Sequence, residues 1–159
     1  MTNQTAANHE LSITRLIHAS PEIVYKVWTE RTGEWWAPRP YTTPVVDFEL
    51  RPGGRAYTMM RSPDGTDMPH EGVFLEIVPH RKIVVTDAFR QGWIPQDAFM
   101  VATITLEQEG SGTRYTARVQ HWSEEAMKQH EQMGFHEGWS IVAGQLAELS
   151  EIRPVSSAA

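Results

Sequence analysis

Apolar residues toward the C-terminus recur in steps of three and four. Phe135, Trp139, Val142, Leu146 and Leu149 form one stripe on a 3.6-residue repeat. The pattern predicts one long helix over residues 123–152. Ser123 is its N-cap, Glu124 and Glu125 face the positive end of the macrodipole, and Pro154 marks the stop. A helix of roughly 29 residues would span about 43 Å. Gly134, Gly138 and Gly144 fall inside it, each at a cost of about 1 kcal/mol relative to Ala. A glycine kept at that cost serves close backbone packing or leaves space. Gly138 lies on the expected buried side, so leucine there should fill a cavity or clash with the sheet. Trp139 is expected to be a core anchor, not a ligand contact. Above Phe135 the stripe fades into Gly134, Glu131, His130 and Met127. The lower half of the helix should seal a core. The upper half either borders a cavity mouth or overhangs into water.

The chain begins with a run that alternates with a period of two. Leu11, Ile13 and Ile17 give a first strand over residues 10–18. Ser20-Pro21-Glu22 then starts a short helix with a cap, a first-turn proline and an early acid. A second helical turn over 31–36 ends at Pro38 and Pro40. Strands follow over 45–50, 55–61, 68–78, 83–89, 99–107 and 113–122. They are separated by turns such as Pro52-Gly53-Gly54, Pro63-Asp64-Gly65 and Gly110-Ser111-Gly112. A loop over 91–96 carries Trp93. Strands segregated from a long terminal helix make an α+β layer fold. A curved antiparallel sheet gripping one helix leaves a hollow that suits small apolar molecules. One domain is expected over residues 9–153, with flexible tails at 1–8 and 154–159.

Composition narrows the function. The chain has 159 residues, with 14 basic and 20 acidic side chains and a net charge of −6. An acidic chain without a basic cluster does not suit a phosphate backbone, so no nucleic-acid partner is expected. There is no cysteine, which excludes disulfides, a thiol nucleophile and Cys-ligated zinc and suits a cytoplasmic location. Residues 1–8 lack the pattern of a signal peptide, and no apolar run approaches a membrane span.

Several motifs in order resemble a known family. They are the run Ala19-Ser20-Pro21-Glu22-Ile23-Val24-Tyr25-Lys26-Val27-Trp28-Thr29, then Trp35-Trp36-Ala37-Pro38, Arg51-Pro52-Gly53-Gly54, Pro63-Asp64-Gly65 and Gly138-Trp139. The chain resembles the SRPBCC superfamily of START-like helix-grip proteins, and within it the AHSA-type homologues of the activator of heat-shock-protein-90 ATPase. The likeness runs from about Leu11 to Ile152. It implies a seven-stranded antiparallel sheet around the C-terminal helix, with a cavity between them. It does not imply one function, since relatives bind lipids, sterols or hormones, cyclise polyketides, or assist a chaperone. The chaperone activators carry a further N-terminal domain, so co-chaperone activity is not carried over.

Candidate chemistry centres on the inner face. Alternation puts Tyr115, Ala117, Val119 and His121 on one side of the last strand. His121 is then the best catalytic candidate, either as a ligand contact or proton shuttle, or as a core histidine satisfied by the backbone or Glu131. Asp87, in an apolar strand, needs a partner such as Arg15 or Arg55 if it points inward. Trp35 and Trp36 either plug the short helices onto the sheet or touch a ligand, with one of the two facing inward. The remaining ligand-binding candidates are Tyr57, Met59, His70, Phe74, Trp93, Met100 and Met127, joined by Gly134, Phe135 and Gly138 on the helix. Methionine adapts to irregular apolar shapes. His130 and His136 point about 120° apart on a helix, and no spacing matches a metal motif, so neither metal nor cofactor is expected. The leading expectation is binding of a small, mostly apolar molecule, aromatic or lipid-like. The alternatives are a polyketide-cyclase-like enzyme using His121 with Glu131 or Asp87, and a protein–protein role as co-chaperone or homodimer.

Overall fold

Short connections leave successive strands little choice but to pair with their chain neighbours. The computed structural model describes residues 9–152; the expected tails at 1–8 and 154–159 lie outside them. The order is β1 (Glu10–Ile17), α1 (Pro21–Glu30), a 3-10 turn (Thr32–Glu34), β2 (Thr42–Phe48), β3 (Arg55–Arg61), β4 (Asp67–Val78), β5 (Lys82–Thr86), β6 (Phe89–Arg90), β7 (Ile94–Pro95), β8 (Met100–Glu109), β9 (Gly112–His121), α2 (Glu124–Gln132) and α3 (Phe135–Glu151). Seven strands form one sheet in the order β1-β9-β8-β5-β4-β3-β2, while β6, at the end of the expected 83–89 strand, and β7, within the expected 91–96 loop, make a separate hairpin. All pairings are antiparallel. Sheet and terminal helices together make the helix-grip fold.

Bends in the sheet come from two register shifts, between Thr42 and Val45 in β2 and between Phe74 and Glu76 in β4. Such bulges sharpen local twist. Gly72 sits just before the second. A Cβ there would overlap the carbonyl oxygen of Thr86, so β4 and the end of β5 come together only because position 72 is glycine.

Both anticipated helix caps form. Ser20 Oγ accepts the Ile23 amide at 3.3 Å, and Ser123 Oγ accepts the Ala126 amide at 3.0 Å. The C-terminal helix, expected as one rod, is instead broken. α2 ends at Gln132 and α3 begins at Phe135. Gly134 between them has φ 95° and ψ 35°, the left-handed region that glycine enters without a Cβ penalty. Its glycine therefore serves a change of direction. The fading of the apolar stripe above Phe135 coincides with this break, because α2 and α3 no longer share one face.

Gly138 also differs from expectation. An added Cβ would meet nothing within 4 Å, so neither a clash nor tight packing explains it. Gly138→Ala is expected to stabilise the protein by about 1 kcal/mol, the helix-propensity difference. A rise in the urea midpoint checks this; an unchanged or lower midpoint contradicts it.

The main core joins Val24, Val27 and Trp28 of α1 to Phe74, Ile83, Ile104, Leu106, Tyr115 and Ala117 of the sheet and to Val142, Ala143, Leu146 and Ala147 of α3. A smaller cluster of Leu11, Ala102, Val119 and Phe135 lies toward α2. Between the two the packing is incomplete, and that gap is the site.

Candidate functional site

The concave face of the sheet supplies alternate residues to a cavity. Ala56, Thr58 and Met60 come from β3, and His70, Gly72 and Phe74 from β4. Met100, Ala102 and Ile104 come from β8, and Tyr115 from β9. The helical side adds Trp28, Trp35, Trp36, His130, Met133 and Trp139. The cavity volume is about 320 Å³, near the lower end of the roughly 300–1,000 Å³ usual for small-molecule sites. Trp35 at 1 % exposure, with Phe74 and Tyr115, closes the deep end. Met133 lines the same cavity at 70 % exposure and so stands at the mouth.

The tryptophan segment is held in place by a side chain the sequence did not flag. Gln145 of α3 is buried and donates from Nε2 to the carbonyls of Trp35 and Ala37, both at 2.8 Å. Its Oε1 accepts the Arg39 amide at 3.1 Å. Every polar atom of this amide is engaged, which is why it tolerates burial. The clamp presents both Trp35 and Trp36 to the cavity, not one of them. Trp36 meets Trp139 edge-on with centroids 5.3 Å apart. Trp139 thus borders the cavity as well as packing on the core, in contrast to the purely structural role expected for it.

Polar groups in the walls are few. Tyr115 Oη accepts from Trp28 Nε1 at 3.4 Å, and burial pushes its phenol up from the ordinary value. Trp35 Nε1 is buried and makes no hydrogen bond among the described residues. Asp87 does line the cavity, but its partners are not Arg15 or Arg55. Its Oδ1 accepts the amides of Phe99 at 2.8 Å and Met100 at 3.1 Å. Arg55 is occupied elsewhere, with Asp47 at 2.7 Å and Glu71 at 3.3 Å. Crowding by the surrounding protein lowers the pKa of His70, against the opposing pull of the Asp87 charge.

Two histidines meet at the α2 side. His121 is buried and faces inward, as strand alternation predicts. Its Nδ1 lies 2.9 Å from the His9 carbonyl oxygen, and its Nε2 lies 2.9 Å from Nδ1 of His130. His121 therefore finds a backbone partner and a second imidazole, and neither ring nitrogen bonds Glu131 or any other carboxylate. His130 is 9 % exposed and packs against Phe99 and Phe135, each with centroids 5.0 Å away. Burial, then the neighbouring His121, push its pKa down to about 4. Among the described residues no third His, Asp or Glu joins the pair to make a metal site.

Of the residues singled out from sequence, Trp36, His70, Phe74, Met100 and Tyr115 line the cavity. Tyr57 and Met59 do not. Their β3 neighbours Thr58 and Met60 take the inner face, and the Tyr57 ring lies under the Arg55 guanidinium at 4.5 Å. Sequence alone does not set the parity of this strand, because its two faces are almost equally apolar. Trp93 is 53 % exposed and packs edge-on to Phe89, away from the cavity lining. Met127 and Phe135 belong to the smaller core cluster. Gly134 and Gly138 are not among the lining residues, and His121 stands behind His130. Trp28, Thr58, His130 and Gln145 are the site residues that sequence reasoning missed or left without a role. A glutamine in the buried register of an apolar helix was the available signal for Gln145. No such signal marked Thr58.

The comparisons with known proteins agree with this architecture. The family model described as Activator of Hsp90 ATPase homolog 1-like protein matches residues 18–151. The crystal structure of protein NE0264 from Nitrosomonas europaea is similar at 37 % identity and a TM-score of 0.85, covering 88 % of this chain and 92 % of that one. The solution structure of an Arthrobacter aurescens protein is similar at 26 % identity and a TM-score of 0.76, covering 93 % and 88 %. Protein Ms6760 from Mycobacterium smegmatis, at 24 % identity, a TM-score of 0.77 and coverage of 92 % and 93 %, shares the fold. A comparison with curated proteins finds no match.

Proposed function

The chain belongs to the Activator of Hsp90 ATPase homolog 1-like family, and on that premise we propose that it binds one small, mostly apolar molecule between the sheet and the C-terminal helices. The observation that carries this is the cavity, closed at its deep end by Trp35, Phe74 and Tyr115 and open past Met133. Its walls are rich in aromatic rings, which suit a flat ligand. A cytoplasmic location and a small-molecule partner belong to the same reading. No described helix is long and apolar enough to cross a membrane.

The enzyme alternative has weaker support. His121 reaches no carboxylate, and Asp87 Oδ1 is spent on two amides. Of the two histidines that line the cavity, His130 is pushed down to about 4 by burial and by His121, and burial lowers His70 as well, which draws both away from the range in which a general base works best near neutrality. The homodimer or co-chaperone alternative could use the edge strand β2, where Val45 and Val46 are exposed. Consecutive strand residues point to opposite faces, so these two do not make one docking patch.

Native mass spectrometry of protein purified from its own host tests the proposal. A co-purifying small molecule is expected. Ala56→Phe should drive a ring into the cavity and lower occupancy at least tenfold, since displaced van der Waals contacts alone amount to more than about 1.4 kcal/mol. Full occupancy in that variant would place the ligand elsewhere.

A further inference from the structure

The histidine pair determines what kind of ligand the cavity can accept. The His9 carbonyl oxygen can only accept, so the His121 nitrogen 2.9 Å from it, Nδ1, carries the proton. In neutral His121 the other nitrogen, Nε2, is then a bare lone pair. That lone pair faces Nδ1 of His130 at 2.9 Å, so His130 must donate from Nδ1. Neutral His130 is left with a bare lone pair on Nε2. This nitrogen has no hydrogen-bond partner among the described residues, and His130 lines the cavity. The direction of every proton in the chain follows from one backbone carbonyl.

We propose that the bound molecule is a small aromatic compound with a ring hydroxyl that donates to Nε2 of His130, and that His121 is the positioning residue that keeps that nitrogen unprotonated. This rests on the cavity-binding reading above and narrows it. A carboxylate or a carbonyl compound offers only acceptors, so lone pair would face lone pair at Nε2. A pure hydrocarbon would strip water from Nε2 and leave a buried acceptor unpaired, at a cost of about tenfold or more in affinity. A hydroxyl satisfies it. The rings of Phe99, Trp36 and Trp139 around the cavity favour an aromatic frame over an alkyl chain. No proton needs to leave the ligand, so the contact is recognition, not chemistry.

The probes are 2-naphthol and 2-methoxynaphthalene, which share a ring system and differ in the O–H. Calorimetric titration of the whole chain at pH 7.5 should give 2-naphthol at least about tenfold tighter binding. In His130→Phe the ratio of the two affinities should fall to within about twofold. A ratio read on one variant cancels any general loss of stability. Nitrogen-15 NMR of the histidine rings supplies a readout that a merely structural role would not move. His130 should carry its proton on Nδ1 in the native protein and revert to the commoner Nε2–H form in His121→Phe. Equal binding of the two probes, a preference that survives in His130→Phe, or an Nε2–H signal from native His130 would each overturn the inference and leave cavity binding standing. If neither probe binds, the cavity reading fails and takes this one with it. Should His121→Phe not fold, the native spectrum and the His130→Phe ratio decide.

Discussion

Tyr115→Ala should lower the unfolding free energy by about 4 kcal/mol, the middle of the range for deleting a buried aromatic ring. Tyr115 is 2 % exposed and sits where β9 meets α1, in contact with both the core and the cavity. Its removal deletes the deep wall, so little around it can collapse to fill the space. Tyr115→Phe separates the ring from the hydroxyl. That variant keeps the packing and loses only the acceptor for Trp28 Nε1, a long bond at 3.4 Å. A loss of about 1 kcal/mol is expected, the low end of the range for stranding a buried donor. Urea unfolding of the two variants checks the pair. Equal losses would mean that the hydroxyl, and not the ring, holds this wall.

Acidification should destabilise the protein through His130, with the second-largest effect. In the fold its pKa is about 4, against an ordinary value of 6.5. The unfolded chain therefore binds the proton more readily between those two values. Stability is fully present above about pH 6.5, falls as pH drops toward 4, and levels off below. The contribution lost is on the order of 2 kcal/mol once the open mouth of the cavity is allowed for. His121 is the titratable ring in contact with His130, and the other rings against it, Phe99, Phe135 and Trp139, carry no charge. Unfolding midpoints at pH 7 and pH 4.5 should therefore converge in His130→Phe relative to the native protein. An identical pH dependence in both would show that His130 does not sense acid.

The two effects read different parts of the site. The first measures how far the cavity floor is shared with the core. The second measures how dry the α2 side is. A ligand that fills the cavity should raise both baselines by mass action, because it binds only the folded chain.

Regular periodicity carried most of the architecture. Alternation over 10–18 and 113–122, the Ser20-Pro21 start and the glycine-bearing turns identify strands, caps and hairpins from neighbours in sequence alone. Short connections then pair β2 to β3, β3 to β4, β4 to β5 and β8 to β9, whereas the β1–β9 pairing that completes the seven-stranded sheet joins strands distant in sequence and is decided by the fold. His121 could be aimed inward for the same reason, since the two faces of its strand differ sharply in polarity. Tyr57 and Met59 were misplaced because β3 lacks that contrast, and only pairing with β4 sets its parity. The break at Gly134 was hidden because a glycine inside a helical pattern reads alike whether it tightens packing or turns the chain. Its left-handed φ is imposed by where α2 must dock. The Gln145 clamp, the amides that hold Asp87 and the His9–His121–His130 chain each join residues distant in sequence. No local pattern encodes such partners. Each buried polar group had to be satisfied by something, and only the folded chain decided by what.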